Sequence, residues 1–122
     1  MTNTSKAVWT LRIAVAGEFL GHGMFALQGK ADWIGWFAKF GVSDPGTATT
    51  LLTLVGIMDV LVALVVLFKP IKPILLWAVF WGFWTALVRP IVGQPIWDFI
   101  ERFANWGAPL ALLFLLKRDK SE

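Results

Sequence analysis

Across 122 residues the chain is 57% hydrophobic and 16% charged, with a net charge of +3; ordinary soluble domains carry roughly 25% charged residues. That balance belongs to a membrane protein and excludes an electrostatic nucleic-acid binder, which needs a dense basic face. With no cysteine, the chain has no thiol exchange, disulfide or thiolate-held iron–sulfur cluster of its own.

A span takes about 20 residues to cross ~30 Å of hydrocarbon, so four spans and short connections use the whole length as a single transmembrane domain. Residues 1–6 form a polar tail. The first predicted span, residues 7–28, contains Arg12, Glu18 and the single histidine, His22. These polar residues interrupt what would otherwise resemble a signal peptide, and no small-x-small cleavage site follows, so the segment reads as a retained span. Its Gly17-x-x-x-Gly21 is a small-xxx-small pattern expected to admit a neighbouring helix. Glu18 and His22 share the adjacent face, one turn apart.

Residues 30–40 obey a different rule. Trp33, Trp36, Phe37 and Phe40 recur at i, i+3, i+4 and i+7 with Asp32 and Lys39 opposite, the pattern of a short helix lying in the membrane interface. Residues 41–46 are a turn by their Gly, Asp and Pro content, and Asp44 or Thr47 is a candidate N-cap for the second span. That span, residues 48–68, is apolar except for Asp59 near its middle. A basic Lys69-Pro70-Ile71-Lys72-Pro73 turn leads to the third span, residues 71–89, which carries Trp77, Trp81 and Trp84 and ends on Arg89. Residues 90–95 break the pattern. The fourth span, residues 96–116, begins with Asp98, Glu101, Arg102 and Asn105 on one face and contains Pro109.

Basic residues set the orientation. Lys6, Lys69, Lys72, Lys117, Arg118 and Lys120 fall on one side of a four-span path. Lys30, Lys39, Arg89 and Arg102 fall on the other, where Asp32, Asp44, Asp98 and Glu101 offset them. The positive-inside rule then puts both termini in the cytoplasm of a multi-pass inner-membrane protein. Lys30 and Lys39 are placed to snorkel to the headgroups.

Ionisable groups inside spans are costly and point to function by default. Glu18 and Asp59 sit about halfway along their spans, with His22 a turn further out, so the three are candidate catalytic groups. Glu18 equally suits a carboxyl tied to another helix, and Asp59 a polar contact between helices. His22 suits a proton shuttle, a hydrogen-bond donor to a quinone or other headgroup, an axial ligand or a packing residue. One histidine excludes a bis-histidine haem within the chain. Arg89 is either a headgroup contact or an anchor for an anionic group. Arg102 and Glu101 form a candidate ion pair. These three, with Trp81, Trp84, Trp97 and Trp106, make a candidate ligand-binding set around an outward-facing cavity. Aromatic walls of this kind suit a flat ring such as a quinone.

Several of these residues also carry a family resemblance. Leu11-Arg12, Gly17, His22-Gly23 and Lys30 in the first span, Gly56-Ile57-Met58-Asp59 in the second, Ala86-Leu87-Val88-Arg89-Pro90 and Ala108-Pro109-Leu110 resemble the DoxX-like family of four-span membrane proteins. The second-span acid, more usually glutamate there, is Asp59 here. The resemblance implies an all-α integral membrane four-helix bundle. Some relatives are similar to the membrane subunit of thiosulfate:quinone oxidoreductase, others associate with redox or stress-defence partners, and eukaryotic ones act as assembly factors. Three functions are therefore expected candidates: a subunit that binds a quinone-like amphipathic ligand and supports electron transfer by a partner, a structural or assembly subunit, and a minimal proton-coupled transporter. Contact with the lipid bilayer is implied by all three, and a homo-oligomer or a redox subunit is the expected partner.

Overall fold

The structure is a computed structural model that describes the backbone of residues 1–121 and the side chains of residues 1–116. Lys117, Arg118 and Lys120, which weigh in the orientation, lie outside the described side chains. The described residues form helices α1 (Asn3–Leu27), α2 (Ala31–Lys39), α3 (Pro45–Phe68), α4 (Lys72–Ile91), α5 (Ile96–Ile100) and α6 (Ala104–Ser121). The protein is an all-helical membrane bundle of four long helices, with two short ones at one end. Pro45–Phe68, Lys72–Ile91 and Ile96–Leu116 are long and apolar enough to cross a membrane. The more polar α1, at 25 residues, is about 37 Å long.

Local chemistry explains most boundaries. Thr2 accepts the Ser5 N–H at 3.0 Å, which starts α1 before its apolar stretch begins. Asp44 caps α3, accepting the Thr47 hydroxyl at 2.7 Å and the Thr47 N–H at 3.1 Å. Those donors hold its carboxyl below the ordinary 3.8. Pro45 sits in the first turn, where no N–H is needed. Two boundaries differ from the sequence pattern. The pattern ends the third span before Pro90, but α4 includes that proline and ends at Ile91, where Gly93 at φ 101° turns the chain. The pattern also makes the fourth span continuous. It is interrupted at residues 101–103, where short-range bonds such as Phe103 N–H to the Ile100 carbonyl form a tight turn.

The bundle is unevenly closed. In the half near the α3–α4 turn, Val8, Val15, Phe19, Val62, Val66, Leu75, Ala78 and Leu112 form the solid core. α1 packs most extensively on α3, α4 packs on α6, and α1 also meets α6, whereas α3 and α4 touch only sparsely. The bundle is therefore a ring of four helices with one loose seam, between α3 and α4.

Three close approaches hold the rest. A Cβ on Gly23 would stand 2.9 Å from Val60 Cγ2 and 3.0 Å from the Gly56 carbonyl oxygen; one on Gly56 would stand 2.8 Å from Leu27 Cγ and 2.9 Å from the Gly23 oxygen. These two glycines form the α1–α3 crossing. Gly17 and Gly21, the pair that the small-residue motif puts there, face open space, because the seam of α1 that meets α3 is the one carrying Gly23 and Ala26. On the other side Pro109 has no N–H to give the Asn105 carbonyl, and this oxygen presses on Gly82, where a Cβ would overlap it. Near the α3–α4 turn, Pro70 likewise offers no donor to the Val66 carbonyl. Arg12 supplies it, donating from Nε to Val66 O at 3.3 Å and from Nη2 to Leu67 O, with its guanidinium 3.9 Å from the Trp9 ring centre. A cation at a helix C-terminus is favourable in itself.

Candidate functional site

The end of the bundle opposite the solid core holds a cavity of about 260 Å³ between α1, α2, α3 and α4. Its ionisable lining comes from three of the costly residues: His22, Asp59 and Arg89. The Gly23–Gly56 crossing explains two of them, since it presses the backbone beside His22 against α3 at Asp59, whose Cβ would be 3.1 Å from a Cβ on Gly23. Arg89 arrives from the last turn of α4.

Arg89 is only 6% exposed. Its Nη1 donates to the Thr85 carbonyl one turn back, and its guanidinium lies 5.3 Å from the Trp36 ring centre. Among the described residues it has no carboxylate in ion-pair range, the single such pair there being Arg102–Glu101 at 2.7 Å. Asp59 is 3% exposed and its Oδ1 is buried with no hydrogen-bond partner; the Trp81 indole lies beside it. A buried cation without an anion and a buried acceptor without a donor are both expensive when left unmatched. Asp59 and Arg89 both line the same cavity. His22 meets Trp33 edge-on, with ring centres 5.9 Å apart at 80°.

The apolar walls come largely from the aromatic stripe of residues 33–40. Trp33, Trp36, Phe37 and Phe40 of α2 line the cavity. α2, which the sequence pattern reads as a short helix lying in the membrane interface, turns this stripe onto the cavity and packs on α3. Trp81 and Trp84 of α4 form the facing wall, with Phe40 and Trp84 6.1 Å apart between ring centres.

The remaining sequence candidates lie away from the cavity lining. Glu18 is half-buried one turn before His22 and near Asp59, and is not one of the residues that line the cavity. Trp97 is 70% exposed. Trp106 packs among Phe83 and Phe103, its indole N–H buried without a partner. Arg102 bonds to the Asp98 carbonyl at 2.7 Å as well as to Glu101, so this group satisfies the turn between α5 and α6. Among the described residues no three His, Asp or Glu side chains are grouped to hold a metal ion. What the cavity offers a ligand is a guanidinium, an imidazole, a carboxyl and aromatic faces on two sides.

A family model described as DoxX matches residues 7–75, which takes in α1, α2, α3 and the start of α4. Comparisons with curated proteins and with solved structures returned no match. The matched stretch is more than half of the chain and contains His22, Asp59 and the aromatic stripe of α2. This small integral membrane protein belongs to the DoxX family.

Proposed function

We propose that the chain is a membrane subunit that holds the ring of a quinone-like amphipathic ligand in the aromatic cavity and supports electron transfer by a partner protein. The observation that carries this reading is the pair of unmatched polar groups, Arg89 and Asp59 Oδ1, in a buried space walled by tryptophan. A quinone is flat, presents carbonyl acceptors at opposite ends and has no charge to desolvate. Arg89 is suited to donate to one carbonyl. His22 and Asp59 are suited to handle protons at the other, with Glu18 behind them as a further proton site. Reduction to the quinol takes two electrons, supplied by the partner, and two protons, which these side chains deliver. In this reading α1 crosses the membrane with the other long helices, both termini are cytoplasmic, and the cavity opens toward the outer leaflet of the inner membrane.

The test is quenching of tryptophan fluorescence by decyl-benzoquinone in nanodiscs. A hydrogen bond to a charged donor contributes about 1.5–3 kcal/mol, so Arg89→Met should weaken binding roughly ten- to hundredfold. The bundle should survive, because the guanidinium bonds only to the carbonyl of Thr85 on its own helix. Unchanged affinity in Arg89→Met and Asp59→Asn would remove the quinone reading and favour a structural or assembly subunit.

A further inference from the structure

The cavity is small for a whole isoprenoid lipid. Pockets that enclose drug-sized ligands run roughly 300–1,000 Å³, and 260 Å³ suits a one- or two-ring head and leaves no room for a tail. The same seam continues past the cavity. Beside and below Asp59, α3 and α4 diverge around a groove of about 330 Å³ lined by Leu54, Met58, Leu61, Val65, Ile74 and Trp77. From Leu54 to Val65 it extends roughly 16 Å along α3 at 1.5 Å per residue, roughly 9 Å of it past Asp59. Every lining residue is apolar, and the one N–H among them is spoken for: the Trp77 indole donates to Met58 Sδ at 3.1 Å. Such a surface offers dispersion and nothing to a polar head.

Head cavity and groove share a wall. Trp77 lines the groove and Trp81 the cavity, and their rings stack at 5.5 Å and 16°. On the facing helix, Met58 of the groove is followed directly by Asp59 of the cavity. Building on the quinone reading, we infer that the ligand carries a long aliphatic tail, that this tail lies in the α3–α4 groove, and that the ligand reaches the cavity sideways from the bilayer through the loose seam. Rim residues such as Leu61, 57% exposed, face the hydrocarbon from which it comes. α2 roofs the other end, so the seam is the apolar route in.

Two probes and two variants test this in phosphatidylcholine nanodiscs: dimethoxy-methyl-benzoquinone without a tail, and the same ring carrying a decyl chain. Leu61→Trp and Val65→Phe fill the groove from its rim without touching the cavity. The decyl quinone should bind the variants about tenfold more weakly than the native chain, while the tail-less ring binds all three alike, which also reports that the variants are folded. Each titration is scaled to its own unquenched signal, since Leu61→Trp adds a fluorophore. Equal binding of the decyl quinone to native chain and variants would overturn the tail assignment, leaving the groove to bilayer lipid or to a second copy, while the head site stands. Failure of both probes to quench the native chain would overturn the quinone reading and the tail with it.

Discussion

Substituting alanine at the helix crossings gives a ranked series that tests the packing from which the cavity arises. At Gly82 the new Cβ would overlap the Asn105 carbonyl oxygen and stand 2.8 Å from its carbon, both backbone atoms that cannot rotate away. At Gly56 it would meet Leu27 Cγ at 2.8 Å and the Gly23 oxygen at 2.9 Å, and at Gly23 the Val60 methyl at 2.9 Å; the side chains yield but the backbone oxygens do not. At Gly17 and Gly21 it would meet nothing within 4 Å. Overpacking costs about 1–3 kcal/mol, and replacing glycine by alanine inside a helix returns about 1 kcal/mol. Gly82→Ala should therefore sit at or above the upper end of that penalty, Gly23→Ala and Gly56→Ala should lose about 1 to 2 kcal/mol net, and Gly17→Ala and Gly21→Ala should be neutral or more stable by up to about 1 kcal/mol. Thermal unfolding followed by circular dichroism in one detergent reads the series as shifts of a few degrees per kcal/mol. Equal shifts at Gly17 and Gly56, or a loss at Gly17 larger than at Gly82, would refute the assigned crossings.

Arg12→Met removes the donors to the Val66 and Leu67 carbonyls and should cost about 1–3 kcal/mol in the same melt while leaving quinone affinity unchanged; a loss of binding without a loss of stability would contradict its purely structural place. Asp44 is bound more tightly as the carboxylate when folded, so its contribution is present above its unfolded value and lost as the pH falls through the depressed one, below 3.8. Melts at descending pH should show that loss in the native chain and less of it in Asp44→Asn, which caps without titrating. Trp36→Leu removes the ring under the Arg89 guanidinium and should weaken quinone binding by several-fold, given about 0.5–2 kcal/mol for such a contact; an unaltered titration would take α2 out of the cavity.

Hydropathy and charge spacing make the helical membrane bundle and the short α2 legible, because period and composition act within a single element. The cavity is half legible. Asp59, His22 and Arg89 stand out as ionisable groups in apolar runs, which one stretch of sequence is enough to flag. Their neighbours do not. The α2 stripe reads by periodicity as the apolar face of an interfacial helix, and what that face covers depends on its contact with α3, which no single element encodes. Gly17-x-x-x-Gly21 is a better small-residue motif than a lone Gly23, yet the facing partner, Gly56, determines which glycine is used. Arg102 and Glu101 resemble cavity residues because sequence gives depth along a span without giving direction around it.

If unmatched polar groups in an aromatic chamber hold a quinone ring, the native chain should carry quinone out of the membrane with it, which is read by extracting it with its surrounding lipid in polymer discs, without added ligand, and measuring the quinone retained per chain by mass spectrometry beside Arg89→Met. An isoprenoid quinone should be enriched above the membrane's own ratio in the native chain and brought back to that ratio by the substitution. Quinone at the bulk membrane ratio in both preparations would contradict the quinone reading.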